Sequence, residues 1–548
     1  MSDLPVSPRR SDHRKVVWLQ PLKLAALAVT ALVLVPLLVV LSSWSSDQTD
    51  IWQHLVATQL PDLLRNTLVL MFGVGAMVLL MGVGLAWLVV MYEFPGRAWF
   101  EWLLVLPLAM PGYVLAFVVL GIFDYSGPVQ SLMSALMGPQ WSMWDVRSEF
   151  TVVVVLSLVL YPYVYMLARS AFLAQSSDTV EAARVLGCNR RQAFWRVALP
   201  MARPAIVAGL ALALMETLAD FGTVAVFNYD TFTTAIYKVW FGFFSLQAAA
   251  QLASLLLLFV GLTLYAERQT RGRRQYFQTG RPQHRFRTPL RPLARWCAVL
   301  ICALVILVAF LLPAIQLLVW VIEAGSGQLN GRYLAILSHS LELAGMAALL
   351  TVVIAGVLAF SRRSSSGWTA TFLSLSQLGY ALPGSVLAVG VMVSFVWLDR
   401  HVVSAVQLAL NLPKEQWLVG GLFSLLVAYW VRFLAVATGP IEAGLGQIKA
   451  SIPEAARTLG VSGRALLWRV YLPILRPGLL TALVLVFVDV MKEMPATLLL
   501  RPFGWDTLAV RIYELTSEGE WEQAALPALT LLLLGLVPVI LSVKRSQS

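Results

Sequence analysis

The run EAARVLGCNRRQAFWRVALPMARPAI, residues 181–206, returns as EAARTLGVSGRALLWRVYLPILRPGL at residues 454–479, with 14 of 26 positions identical. The offset is 454 − 181 = 273 residues, about half of the 548-residue chain. A repeat of this size marks a duplication, so a reading of either half constrains the other. With one residue of slippage the same register brings Pro111-Gly112 onto Pro383-Gly384.

The text around the repeat is apolar. Hydrophobic residues make up 59% of the chain and charged residues only 13%, against roughly 25% charged in a soluble domain. An ordinary soluble enzyme and a disordered protein are both excluded. Twelve apolar stretches lie near 22–43, 66–91, 103–123, 150–173, 204–227, 246–266, 296–322, 341–360, 373–397, 417–438, 477–500 and 523–543. Each approaches or exceeds the roughly 20 residues that cross a hydrocarbon core as helix. The fold class expected is an all-α polytopic membrane protein of about twelve transmembrane helices, built as two parallel six-helix repeats. Six is even, so both halves enter the membrane in the same orientation. The expected symmetry is a pseudo-two-fold along the membrane normal, with a path between the halves.

Lys and Arg exceed Asp and Glu by 40 − 29 = 11. They concentrate in alternate loops, which places both termini in the cytoplasm. The first apolar stretch follows Arg9, Arg10, Arg14 and Lys15, but it is too long for a signal peptide and is read as an uncleaved helix. The division expected is a cytoplasmic tail 1–21, a first membrane half 22–266, an Arg-rich cytoplasmic linker 267–295, a second half 296–543 and a tail 544–548. The linker holds Arg268, Arg271, Arg273, Arg274, Arg281, Arg285, Arg287 and Arg291. Between spans six and seven these cations meet anionic membrane lipids, not nucleic acid. Cys188, Cys297 and Cys302 show no metal-ligand spacing.

Both copies of the repeated run fall in cytoplasmic loops. Glu-Ala-Ala-Arg is strongly helix-forming, with Asp178 or Ser451 available to cap its start. Gly187 and Gly460 sit where a short helix ends and the chain turns. A basic amphipathic helix follows, through Trp195-Arg196-Val197 or Trp468-Arg469-Val470, and Leu199-Pro200 and Leu472-Pro473 are expected to break it before the next span.

Glu-Ala-Ala, a glycine six positions after the glutamate and Leu-Pro ending nineteen after it form a pattern that resembles the signature loop of binding-protein-dependent ABC importer permeases. The resemblance implies the type I importer fold and a coupling helix that docks on a cytoplasmic ABC ATPase dimer. Glu181, Gly187, Glu454 and Gly460 would contact the ATPase, with Ala182, Ala183, Ala455 and Ala456 packing closely. It also implies a periplasmic binding protein as partner and a bacterial inner-membrane location. No G-x-x-x-x-G-K-[ST] occurs in the chain. It is therefore read as a transport subunit and not as an enzyme: ATP and Mg belong to the partner, and the chain holds no cofactor. Gly73, Gly75, Gly82 and Gly84 lie inside one apolar run and read as helix-packing positions.

Span five carries Glu216 and Asp220, and span eleven Asp489 and Glu493. Each pair is spaced i,i+4 on one helical face, and the offset superposes them, 216 + 273 = 489 and 220 + 273 = 493. A carboxylate at the centre of a membrane helix costs about 2.5–3.5 kcal/mol on insertion scales, which marks it as functional by default. The four acids either line a translocation path suited to a hard cation, or bond internally to Lys492, Thr217 or freed backbone near Gly222 and Pro495. The stretches ETLADFGTVAVFNYDTFTTAIYKVWF (216–241) and DVMKEMPATLLLRPFGWDTLAVRIYE (489–514) resemble the two halves of fused ferric-iron permeases. That implies Fe3+ as the substrate. Thiamine or another small solute carried by the same mechanism is the alternative, and an ATPase-independent secondary transporter is the competing class.

Overall fold

The computed structural model describes residues 19–124, 127–138, 145–175, 185–271, 287–449 and 451–547. Twelve of its helices are long and apolar enough to span a membrane. They fall where the hydrophobic pattern places them, but four of them differ in a way that matters for function.

The third and ninth spans do not begin as regular helices. The third is preceded by a helix Arg97–Leu103 and a 3-10 turn Leu106–Ala109, and its regular part starts at Gly112. The ninth is preceded by a helix Gly367–Ser374 and a 3-10 turn Leu375–Ala381, and starts at Gly384. The cause is the same in both halves. A residue before proline is pushed out of the helical region, and Met110 (ψ 120°) and Leu382 (ψ 125°) are extended ahead of Pro111 and Pro383.

The fifth and eleventh spans were expected near 204–227 and 477–500. They run instead as Arg191–Ala219 and Gly463–Lys492, stop, and restart as short helices Gly222–Val226 and Pro495–Leu500. The expected break at Leu199-Pro200 and Leu472-Pro473 does not occur. Each helix passes its proline by widening into a single π turn, Phe194–Ala198 in one half and Leu467–Tyr471 in the other. A wider turn makes room for the pyrrolidine ring and tolerates the missing N–H, so the helix continues where a regular one would break.

The halves interlock through their opening spans. The first span passes the ninth so closely that a Cβ on Gly390 would sit 2.7 Å from the Pro36 carbonyl oxygen. The seventh span reaches the third, where Phe117 stacks on Trp320 at 6.2 Å and on Trp521 of the twelfth span at 6.4 Å. Gly73, Gly75 and Gly82 do face neighbouring helices, Gly82 most tightly against Val164, whereas nothing lies within 4 Å of the site of a Cβ on Gly84.

Two buried tyrosines of the fourth span, Tyr161 and Tyr165, donate to the carbonyls of Leu104 and Glu101, each at 2.7 Å. They fasten the irregular approach to span three against the regular helix beside it. On the same side the described end of the linker pairs in parallel with the chain after span two, Thr288 with Tyr92 and Pro289 with Glu93. Ion pairs Arg287–Glu93 (3.9 Å), Arg97–Glu93 (3.4 Å), Arg97–Glu101 (3.0 Å) and Arg169–Glu101 extend that junction.

Candidate functional site

The break in each long helix leaves N–H groups at the start of the following short helix without partners, and an acid satisfies them. At the fifth span Asp220 turns the chain (ψ 126°) and accepts from the Val224 N–H at 3.2 Å and the Thr223 hydroxyl at 2.9 Å. At the eleventh Glu493 turns it (ψ 116°) and accepts from the Ala496 N–H at 2.9 Å. Thr233 and Thr497 donate to the backbone carbonyls of Asp220 and Glu493, both at 2.7 Å. Anionic oxygens at a helix N-terminus are favourable on both hydrogen-bonding and dipole grounds.

The Pro-Gly turns of the third and ninth spans close over these same acids. A Cβ on Gly112 would meet the Thr223 hydroxyl at 2.7 Å and the Asp220 carboxylate at 3.4 Å, and one on Gly384 would collide with Glu493 and Arg432. Only glycine permits so close a backbone approach. Arg432, on the tenth span Leu422–Gln447, pairs with Glu493 at 3.4 Å. Asp220 has neutral donors where Glu493 has a cation, so the two halves are not electrically equivalent.

Glu216 and Asp489 sit one turn earlier and cap nothing. Glu216 accepts a hydrogen bond from the Tyr380 hydroxyl at 3.3 Å, across from the other half. Asp489 lies within electrostatic reach of Lys492, Glu216, Arg432 and Glu493. Lys492 donates to the Leu108 carbonyl at 3.3 Å, again across the halves. Four carboxylates and two cations thus lie on these spans, a formal excess of 4 − 2 = 2 negative charges. Among the described residues no three His, Cys, Asp or Glu side chains are placed to hold a metal ion together.

Of the repeated loops, the second is described in full. Ser451–Thr458 is helical, with Glu454 and Ala455 exposed and Ala456 turned into its own chain. It ends on Gly460 (φ +82°), whose N–H donates to Arg457 at 3.0 Å while the Val461 N–H reaches back to Ala456 at 2.9 Å. This is the paired-bond C-terminal cap that requires a left-handed residue. In the first copy Gly187 has φ +91° in the same place; Glu181, Ala182 and Ala183 lie outside the described residues. Leu459 and, beside Gly187, Val185 and Leu186 are exposed to 82%, 88% and 84%.

The profile of the family described as "Binding-protein-dependent transport system inner membrane component" matches residues 78–272 and again 351–545. The chain belongs to this family. It is 27% identical over 491 residues to the Fe(3+)-transport system permease protein FbpB 2 of Haemophilus influenzae, covering 88% of this chain and 90% of that one. It is 23% identical over 440 residues to the ferric transport system permease protein FbpB of Actinobacillus pleuropneumoniae, covering 76% and 61%. Against the sulfate transport system permease protein CysT of Escherichia coli the identity is 30% over 146 residues, 26% of this chain and 50% of that one. A crystal structure of a bacterial alginate ABC transporter in complex with a pentasaccharide-bound periplasmic protein aligns with TM-score 0.35 and 16% identity, over 45% of this chain and 91% of that one.

For this inner-membrane component the sequence located all four acids and the freed backbone near Gly222 and Pro495 that Asp220 and Glu493 meet, while Thr217 donates instead to the Ala213 carbonyl at 2.8 Å. Tyr380, Arg432 and the Leu108 carbonyl were missed as members of the site. Arg432 carried a usable signal, because an arginine inside an apolar run demands a partner. Tyr380 stands three residues before a Pro-Gly already singled out. A backbone carbonyl leaves no trace in the sequence.

Proposed function

We propose that the chain is the fused, two-half permease subunit of an ABC importer for ferric iron. A periplasmic protein delivers Fe3+ to the outer face, and a cytoplasmic ATPase dimer, holding ATP and Mg, drives alternating access. Both termini are cytoplasmic, the halves are 22–266 and 296–543, and the linker lies along the lipid surface. The observation that carries the coupling role is the repeated loop. Its second copy presents Glu454 and Ala455 outward on a short helix held by a left-handed glycine, and its first copy has the same glycine conformation at Gly187. Exposed Val185, Leu186 and Leu459 beside them give the partner apolar surface to cover. Ala456 is occupied by its own chain, so the contact falls on Glu454 and Ala455.

Support for iron comes from the two relatives named for ferric transport, one of them matched along nearly its whole length. The excess of carboxylates over cations at the interface between halves agrees with a hard cation. The acids divide their work. Asp220 and Glu493 hold the short helices in place, while Glu216 and Asp489, which cap nothing, meet the metal in transit. Uptake of 55Fe-loaded ferric citrate by cells expressing Glu216→Gln with Asp489→Asn is expected to fall to background while the ATPase still co-purifies. Unchanged uptake removes the carboxylate path, and thiamine uptake in place of iron overturns the substrate while keeping the mechanism.

A further inference from the structure

Two hydrogen bonds cross between the halves at the level of the acids, and the internal repeat shows that they are related. In the register set by the Pro-Gly turns, 383 − 111 = 272, Tyr380 occupies the place of 380 − 272 = 108, which is Leu108. One bond runs from Tyr380, in the 3-10 turn Leu375–Ala381, to Glu216 on the fifth span. The other runs from Lys492 on the eleventh span to the carbonyl of Leu108, in the 3-10 turn Leu106–Ala109. Each joins the turn of one half to the broken span of the other. The place is duplicated while the chemistry is not: 492 − 273 = 219, and Ala219 carries no charge.

Lys492 reaches its carbonyl through a gap that the twelfth span leaves open. A Cβ on Gly535 would lie 2.9 Å from the lysine Nζ and would collide with the Ala109 carbonyl oxygen. The lysine stands three residues after Asp489, on the same helical face. While the bonds hold, the lysine ammonium is fixed at the Leu108 carbonyl, one helical turn from Asp489, and the Tyr380 hydroxyl stays on Glu216.

We propose that Tyr380 and Lys492 form a pair of latches across the pseudo-two-fold axis, which hold the halves together and keep Glu216 and Asp489 partly covered until the halves part. Both bonds are part-buried, so each loses its partner at some cost. Separation of the halves breaks both in one movement and bares both carboxylates to the gap at the same moment. Opening therefore adds two freed carboxylates to a path that is already anionic. This function of the latches rests on the reading of the two acids as the path.

Hydrogen–deuterium exchange on the purified chain in lipid nanodiscs tests the latches without metal or ATPase. Tyr380→Phe and Lys492→Met are each expected to speed amide exchange about fivefold in both turn segments, 106–110 and 376–382, because either bond helps hold both. Gly535→Ala, which keeps the lysine but crowds both it and the Ala109 carbonyl, is expected to speed exchange in the remote segment 376–382 as Lys492→Met does, and only that segment is read for it. Thermal melting of each variant identifies any that fails to fold; Gly535→Ala then carries the test for Lys492. No change in exchange overturns the proposal. So does a change confined to the altered residue's own contact, with Tyr380→Phe loosening only 376–382 and Lys492→Met only 106–110. Iron uptake in Glu216→Gln with Asp489→Asn reports separately on the path, so coupled exchange with normal uptake leaves the latches standing and removes the path.

Discussion

Gly460 offers a perturbation in which one physical effect acts alone. The residue has φ +82°, and a Cβ placed there meets nothing within 4 Å. Alanine therefore meets no steric clash within the chain and introduces only backbone strain, about 1–2 kcal/mol for a left-handed L-residue. The strain falls on the two bonds that close the helix Ser451–Thr458, Gly460 to Arg457 and Val461 to Ala456. A cost of that size lowers the population of the formed loop by about 5–30-fold relative to its opened forms. Asparagine tolerates the left-handed region and should recover most of the loss. The assay is the affinity of the co-expressed ATPase for the chain in detergent, together with iron uptake in cells. Gly460→Ala should weaken the first and lower the second, and Gly460→Asn should restore both. Two outcomes would refute the reasoning. A silent Gly460→Ala means that the turn does not govern docking. An asparagine variant as damaging as alanine means that the partner needs the position bare, and that backbone conformation is not the cause.

Charge reversal at both loops, Glu181→Lys with Glu454→Lys, should weaken ATPase association about 10- to 100-fold, the scale of charge-assisted hydrogen bonds; intact coupled uptake would remove both glutamates from the contact. Gly82→Ala places a methyl 2.6 Å from Val164 Cβ and 2.9 Å from the Tyr165 nitrogen, so it should destabilise by about 1–3 kcal/mol, whereas Gly84→Ala should leave the melting temperature unchanged. Burial opposes ionisation of Glu101, but Arg169 and Arg97 outweigh it and hold the carboxyl below its ordinary value. Because the folded value is depressed, this group's stabilisation is complete above the ordinary glutamate range and is lost as pH falls through the folded value. Glu101→Gln should therefore lower the melting temperature at neutral pH and flatten its acid dependence; an unaltered acid slope would contradict the pairing.

The duplication made most of the architecture legible. Apolar runs located the spans, and two copies of one loop with two pairs of acids at one offset located the two halves and the residues between them. What the sequence misjudged was where helices end. Hydropathy runs unbroken through Asp220 and Glu493 because the short helices beyond them are as apolar as the spans before them. The stop comes from side-chain oxygens that satisfy freed N–H groups, and hydropathy does not register it. The error at Pro200 and Pro473 was of the opposite kind. Proline forbids a regular turn, and a local widening by one residue let the helix pass. The excess charge in the cluster was visible and Lys492 stood among the expected partners, but the Arg432–Glu493 pair was not foreseen; both cations lie on spans of the second half with no charged counterparts at Val159 and Ala219.

The π turns have a consequence for angular phase. Each inserts one residue into a helix that otherwise runs from the repeated loop to the interfacial acid, as Gly463–Lys492 does without interruption. In a regular helix one residue corresponds to about 100° of rotation. The widened turn therefore sets the direction in which Glu216 and Asp489 point relative to the loop end of their own helices. Both halves carry the turn at the same place, which keeps the two acids in matched phase about the axis. Shortening one turn by a residue would swing its acid out of register with its twin while leaving composition, length and hydropathy almost unchanged.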